Sequence, residues 1–255
     1  MSKLGRPRRE LDTTRITSEF LAGRSESWIA AQLGVSSSSI HRRLVSAGVP
    51  LRSAVEASNL RRFRTFPETE TVLELLDGLL LGDAFVGDHQ ASEARLAISQ
   101  RRDRRSWLDA VQKQLQEAGI ETTIKDRGVA RGWELRTGKY ASLTKQRRRW
   151  YPKGKKIVPL DVRLGPQALA QWYWGDGSTG NDGYRMVFNT QGFTRKHVDF
   201  LRKRLNQLHG WQPTMHRNRK GFVINVSREE DRAALVDLIR PYCPSCFNYK
   251  LEIRR

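Results

Sequence analysis

The sequence predicts an α+β protein in two parts. A small all-α helix-turn-helix domain occupies residues 1–49, and, after a linker at 50–69, two pseudo-symmetric αββαββα halves follow at 70–160 and 161–255. Three observations carry this. An apolar helical segment that ends on aspartate occurs twice, with the two aspartates, Asp83 and Asp176, 93 residues apart. Shorter matches recur in the same order behind each copy, as expected of a duplicated unit. Ahead of the first copy lies a basic block with three short helical patterns around a glycine turn.

Charge fixes the class of partner. The 255 residues hold 46 Lys+Arg against 27 Asp+Glu, a net charge of +19 at pH 7, split as +7 over residues 1–65 and +12 over the rest. Such an excess calls for a polyanion, and both blocks would feel a phosphate backbone. With 38% hydrophobic residues and seven Trp, nine Phe and six Tyr, there is material for packed cores, which excludes wholesale disorder. The longest apolar stretch, residues 73–86, is broken by Glu74, Asp77 and Asp83, so no bilayer span is expected. No apolar leader is seen in the first 20 residues, and two cysteines do not staple a chain of this size. A reducing, cytoplasmic location is expected, nucleoid-associated in a bacterial or phage setting. Cys243-Pro-Ser-Cys246 reads as a loop with two small thiols, because no second cysteine pair completes a zinc site.

In the first block, Gly5-Arg6-Pro7-Arg8-Arg9 forms an arm in which proline fixes an extended backbone and Arg6, Arg8 and Arg9 suit a minor groove. Residues 18–22 and 26–33 read as short helices, Gly34 as the turn, and 36–47 as a third helix capped by Ser36 or Ser37. Trp28, Ile29, Leu33, Val35, Ile40 and Leu44 converge on one small core. Ser37, Ser38, His41, Arg42 and Arg43 are then left on the third helix, within reach of bases and phosphates. The arm and trihelical unit resemble the DNA-binding domains of Hin-type serine recombinases.

The repeat begins with Val72-Leu-Glu-Leu-Leu-Asp-Gly-Leu-Leu-Leu-Gly-Asp83 and returns as Leu169-Ala-Gln-Trp-Tyr-Trp-Gly-Asp176. Gln100 lies 17 residues past the first aspartate, and Gln191 lies 15 past the second. Each Gln precedes an amphipathic helix, 104–116 and 195–208, followed by β-like segments at 122–125 and 133–137, and at 213–217 and 222–227. Lys156 and Lys250 close the units, 73 and 74 residues past their aspartates. The ordered spacing places the aspartate-bearing helices together at a pseudo-twofold axis.

On these residues the chain resembles the single-chain LAGLIDADG homing endonucleases over roughly residues 70 to 255, with Asp83 and Asp176 at the eighth, acidic position of each motif. Asp77 replaces the motif's Ala, Ala84 its last Gly, and Gln171 the first Gly of the second helix, while Leu81 and Trp174 fill the non-essential acidic position. Trp150-Tyr-Pro-Lys-Gly-Lys-Lys156 and Phe247-Asn-Tyr-Lys250 are similar to the stretches that deliver the family's basic residue, with Lys153 and Lys155 as neighbours of the preferred Lys156. The resemblance implies a monomer that cuts double-stranded DNA with Mg²⁺ or Mn²⁺.

The chemistry agrees with that implication. Aspartates at helix C-termini face the negative end of the dipole and repel each other, and a divalent cation reverses the sign. Asp83 and Asp176 would be the metal ligands, Gln100 and Gln191 would orient the attacking water, and Lys156 and Lys250 would stabilise developing charge. Histidine clusters and a Asp/Glu-x-Lys motif, the marks of other nuclease chemistries, are absent from the sequence. Two sheets would form a basic saddle reading the major groove. Its candidate contacts are Arg95, Lys125, Arg127, Arg131 and Arg136 in the first half and Arg185, Arg217, Arg219, Lys220 and Asn225 in the second. Because the halves differ at nearly all these positions, the target is expected to be asymmetric. A non-cleaving DNA-binding regulator and an intron RNA maturase are the alternatives.

Overall fold

The computed structural model describes residues 11–53, 56–57, 65–87, 94–180 and 183–252. The chain divides into two compact units, Met1–Arg61 and Arg62–Arg255.

The first unit holds α1 (Thr13–Leu21), α2 (Glu26–Leu33) and α3 (Ser37–Ser46). Each starts on a short polar side chain that accepts a backbone N–H three residues on: Asp12 from Arg15, Ser25 from Trp28, Ser36 from Ser39. Gly34, at φ 64°, ends α2 in the left-handed region and turns the chain into α3. Ile16, Phe20, Ile29, Ala30, Ile40 and Leu44 are the buried core, with Trp28, Leu33 and Val35 packed against it. The first helix begins earlier than the 18–22 expected, because Asp12 caps it and Ile16 lies one turn before Phe20 on the buried face. Arg52, inside the expected linker, donates to the carbonyls of Phe20 and Arg24 and lies 3.9 Å over the Phe20 ring.

The second unit is built twice on one plan. Its first half runs α4 (Glu70–Leu81), β1 (Phe85–Gly87), β2 (Arg95–Gln100), α5 (Arg105–Glu117), β3 (Thr122–Asp126), β4 (Trp133–Thr137) and α6 (Ala141–Trp150). The second runs α7 (Pro166–Asp176), β5 (Gly177–Thr179), β6 (Met186–Asn189), α8 (Arg195–His209), β7 (Thr214–Asn218), β8 (Gly221–Val226) and α9 (Glu229–Ile239), then 3-10 turns at Arg240–Tyr242 and Ser245–Leu251. The antiparallel sheets have equivalent orders, β1-β2-β4-β3 and β5-β6-β8-β7. Strand alternation buries Val86, Leu96, Ile98 and Leu135 in one half and Met186, Phe188, Ile224 and Val226 in the other. Phe66, the last part of the expected linker, is buried in this core against Tyr140.

The helices α4 and α7 form the seam between halves. A Cβ on Gly78 would lie 2.6 Å from Ala168 Cα, closer than side chains tolerate, so glycine is what lets the backbones meet there. One turn on, Gly82 faces Gly175. The Glu74 carboxylate caps the opposite helix, accepting the N–H groups of Gln167 (2.8 Å) and Ala168 (3.2 Å). Gln171, in place of a glycine, points its carboxamide to α5, accepting from Trp107 Nε1 (2.9 Å) and donating to Gln114 Oε1 (3.1 Å). The seam thus tolerates this larger side chain.

Candidate active site

Both motif aspartates lie where the seam ends. Gly82 terminates α4 directly before Asp83, and Asp176 is the last residue of α7. The ends are in contact: a Cβ on Gly175 would lie 3.1 Å from Asp83 N and 3.6 Å from its Oδ2. Burial, and then the neighbouring Asp83 charge, push the Asp176 carboxyl up to about 7, against the pull of Lys156 and Lys250. Two oxygen-ligand side chains thus share one place at which negative charge is costly.

Each lysine sits on the carbonyls of its own half's helix end. Lys156 Nζ donates to Gly82 O (3.2 Å) and Ala84 O (3.0 Å). Lys250 Nζ donates to Tyr173 O (3.1 Å), Trp174 O (3.0 Å) and Gly177 O (2.6 Å), and lies 4.6 Å from the centre of the Phe247 ring. These contacts satisfy C-terminal carbonyls and place a cation at the negative pole of each helix. Burial lowers both ammonium groups to about 8; Arg104 lowers Lys250 further, while Asp83 and Asp176 oppose the drop in both. Lys153 and Lys155 are exposed.

The glutamines part company. Gln100, the last residue of β2, donates to Asp83 Oδ2 at 2.6 Å. Gln191 lies two residues beyond the end of β6 and donates to Asn189 Oδ1 (3.3 Å). Between them in sequence, Thr190 is buried and its hydroxyl donates to Phe222 O. The Ser-Gln and Thr-Gln pairs are therefore not placed alike: the second strand ends earlier relative to its glutamine.

On the first sheet, register places Phe85, Ala97, Arg136 and Thr123 in one row of the open face, and Ser99, Glu134 and Lys125 in the next. Two grooves leave Asp83 across this face: one is lined by Arg95, Glu134 and Arg136, the other by Gln100 and Arg131. Glu134, a residue without a role in the sequence pattern, is buried between Arg127 (3.4 Å) and Arg136 (2.9 Å). Its carboxylate holds two candidate contacts in place. On the second sheet Val187, Asn225 and Thr214 form the matching row. Asn225 is buried there and its Oδ1 has no hydrogen-bond partner among the described residues. Arg185 lies two residues before Val187, and Arg219 and Lys220 are exposed in the β7–β8 turn. Arg217 pairs with Phe222 on the side of Met215 and Ile224, away from Asn225. His216 and Thr214, 2.9 Å apart, take exposed places on the open face instead; alternation alone would not single them out before the register is known.

In the first unit, Ser38, His41 and Arg42 are exposed on α3. Ser37 Oγ donates to Ser27 Oγ (3.4 Å), and His41 Nδ1 is 3.1 Å from Glu26 Oε1. Arg6, Arg8 and Arg9 lie outside the described residues.

Residues 73–233 match the family model described as the LAGLIDADG DNA endonuclease family. An uncharacterized protein of Methanocaldococcus jannaschii is 28% identical over 194 residues, covering 72% of this chain and 74% of that protein. A cytochrome b mRNA maturase of Debaryomyces hansenii is 27% identical over 214 residues, covering 79% of this chain and 80% of its own. Among solved structures, the homing endonuclease I-WcaI bound to its DNA recognition sequence shares the fold with a TM-score of 0.66 at 18% identity, over 83% of this chain and 98% of that one. The family match spans more than half of the sequence and takes in both seam aspartates, and the chain belongs to the LAGLIDADG DNA endonuclease family.

Proposed function

We propose that this chain cuts both strands of a long, asymmetric double-stranded DNA site by divalent-metal-dependent phosphodiester hydrolysis. The observation that carries the reading is the pair of touching helix ends, each with an aspartate and each with its own lysine on the helix-end carbonyls.

The donor set fits Mg²⁺ or Mn²⁺. Asp83 and Asp176 offer hard oxygens, and the raised Asp176 carboxyl marks a place where a cation would relieve repulsion. Among the described residues no group of three or more His, Cys, Asp or Glu gathers, which suits an ion that keeps waters and takes oxygens from a substrate phosphate. When bound, such an ion supplies Lewis-acid activation of water and neutralises charge on the phosphate. Gln100 fixes the rotamer of Asp83 through its 2.6 Å hydrogen bond. Gln191 would orient water in the second half. Below about pH 8, Lys156 and Lys250 each hold a proton on Nζ beside the reacting phosphate and stabilise its added charge. The basic open faces of the sheets supply phosphate and base contacts, and α3 together with the N-terminal arginine arm extends the footprint. No described helix is long and apolar enough to cross a membrane.

The test is a randomised duplex library incubated with Mg²⁺ or with EDTA, followed by sequencing of the ends. Metal-dependent breaks at one extended site on both strands are expected. Lys156→Met and Lys250→Met should each slow mainly one strand, on opposite strands. Absence of cleavage, or equal breakage in EDTA, would overturn the reading. Likeness to the maturase favours a second reading, an RNA-splicing role, which predicts tight intron RNA binding and no DNA breaks.

A further inference from the structure

The loop that delivers Lys156 runs from the end of α6 to the start of α7, and one buried carboxylate holds both of its ends. Asp77, in the middle of α4, is fully buried. At the near end it accepts hydrogen bonds from the Arg149 guanidinium, including Nη2 at 3.1 Å, and from Trp150 Nε1 at 3.3 Å. At the far end it accepts from the Arg163 backbone N–H at 3.0 Å and from Arg163 Nη1 at 3.3 Å. Within the loop, Ile157 N–H donates to the backbone carbonyl of Trp150 at 2.8 Å, so the residue beside Lys156 is tied to the residue whose indole Asp77 holds. Asp161 adds a second bond to Arg149 at 2.8 Å, and Glu70 a second bond to Arg163 at 2.8 Å.

A helix seam gives no packing reason for this aspartate. The corresponding residue 93 positions later is Ala170, which is buried as well. Lys250 is delivered by different means: its 3-10 turn is held by Arg104 on Cys246 O (2.8 Å) and Tyr249 Oη (2.8 Å), and by Ser106 Oγ accepting from Cys246 N (3.3 Å). An ionised carboxylate inside a protein is costly unless it is fully paired, and here every bond it makes reaches a residue flanking the Lys156 loop.

We infer that Asp77 is a positioning residue for Lys156: it clamps the two ends of the 150–163 loop and so sets the ammonium on the α4 end, for one half of the protein only. The inference deepens the proposed nuclease reading, since the site that Lys156 serves is the one described above. Misplacing a charged group by about 1 Å can cost about a hundredfold in rate, whereas the Lys250 half keeps its own supports.

The experiment compares full-length wild type, Asp77→Asn and Arg163→Gln by two readouts. The first is strand-resolved cleavage of a labelled target duplex. Asp77→Asn should slow the strand that Lys156→Met slows, by about ten- to a hundredfold, and leave the other within about threefold. The double variant Asp77→Asn with Lys156→Met should be no slower on that strand than Lys156→Met alone, because the clamp acts only through the lysine. Arg163→Gln frees only one end of the loop and is the gentler variant, with the same strand preference expected. The second readout needs no cleavage: the rate at which Lys156 is acylated by an amine reagent, followed by mass spectrometry with Lys250 as internal reference. Lys156 should react faster in both variants, and Lys250 unchanged. Equal slowing of both strands, equal exposure of both lysines, or additive loss in the double variant would overturn the clamp. If wild type cuts neither strand, the nuclease reading fails while the acylation ratio still decides the clamp.

Discussion

Replacing Asp83 by Asn tests whether the two seam carboxylates share one electrostatic site. Two causes raise Asp176, burial first and the Asp83 charge second, and the variant removes only the second. A neighbouring like charge that shifts a carboxyl by roughly one to two pH units contributes about 1.4–2.7 kcal/mol. The Asp176 midpoint, about 7 in the wild type, should therefore move down by one to two pH units and stay above the ordinary aspartate value, because burial persists. The assay is carboxyl ¹³C chemical shift against pH in metal-free protein, with Asp176→Asn to assign the resonance. The sign for metal follows from the raised value. A proton must leave Asp176 before it can be a ligand, so wild-type Mg²⁺ affinity should fall about tenfold per pH unit below about 7 and level off above it. An Asp176 midpoint that ignores the Asp83 substitution, or a metal affinity flat between pH 5.5 and about 7, would refute the shared site.

Gly78→Ala should cost about 1–3 kcal/mol in denaturant unfolding, because its Cβ would run into the Ala168 backbone, whereas Gly82→Ala, with 3.4 Å to Gly175 Cα, should cost under about 1 kcal/mol. Lys250 loses its proton near pH 8 when folded but only near 10.5 when unfolded, so the unfolded chain holds the extra proton in that window and stability rises with pH there. Lys250→Met should reduce that rise, by up to about 1.4 kcal/mol per pH unit, and an unchanged slope would place the ammonium in solvent. A truncated chain beginning at Arg62, which keeps Phe66 in the core, should retain metal-dependent cutting with weaker, still salt-sensitive DNA binding. Loss of cutting by that folded truncation would refute the division of labour.

The duplication was legible because it is written in spacing. Helix ends carry glycine, the amphipathic helices at 105–117 and 195–209 carry period 3.6, and β3, β4, β7 and β8 fall within about a residue of their expected bounds. The first hairpin of each half has strands as short as three residues, too few for an alternation to show, so β1 and β5 have no readable limits. That is also why Gln100 and Gln191 look alike in sequence and differ in place: residue type repeats, but the strand ladder decides which backbone position faces the aspartate. Glu134 was unreadable for another reason. A glutamate in a basic strand looks like a solvated charge until register puts it between Arg127 and Arg136. Asp77 stood out only as a departure from the motif, and its meaning came from residues 70 and more positions away, Arg149 and Arg163, which no local window contains.

The departures from the motif also show how far the halves have separated while keeping one backbone plan. At the last motif position, Ala84 stands in the first half and Gly177 in the second, yet both do the same thing, offering a carbonyl to the lysine of their half. A backbone carbonyl is independent of side chain, so that function places no demand on residue type. The demand comes from packing. At Gly177 a Cβ would collide with Tyr173, including its Cγ at 2.6 Å, whereas Ala84 is buried with its methyl accommodated. The aromatic run Trp172-Tyr173-Trp174, packed against Phe188 and stacked through Trp174 on Phe247, thus fixes glycine in the second half, and the leucine run of α4 leaves the first half free of that constraint. Each half has solved the support of its own lysine separately, with a buried aspartate clamp in one and an arginine-braced aromatic turn in the other. A shared seam with separately supported lysines is an arrangement in which one half can change its supports without moving the other's ammonium, and it makes strand-resolved kinetics the informative measurement for every substitution around the site.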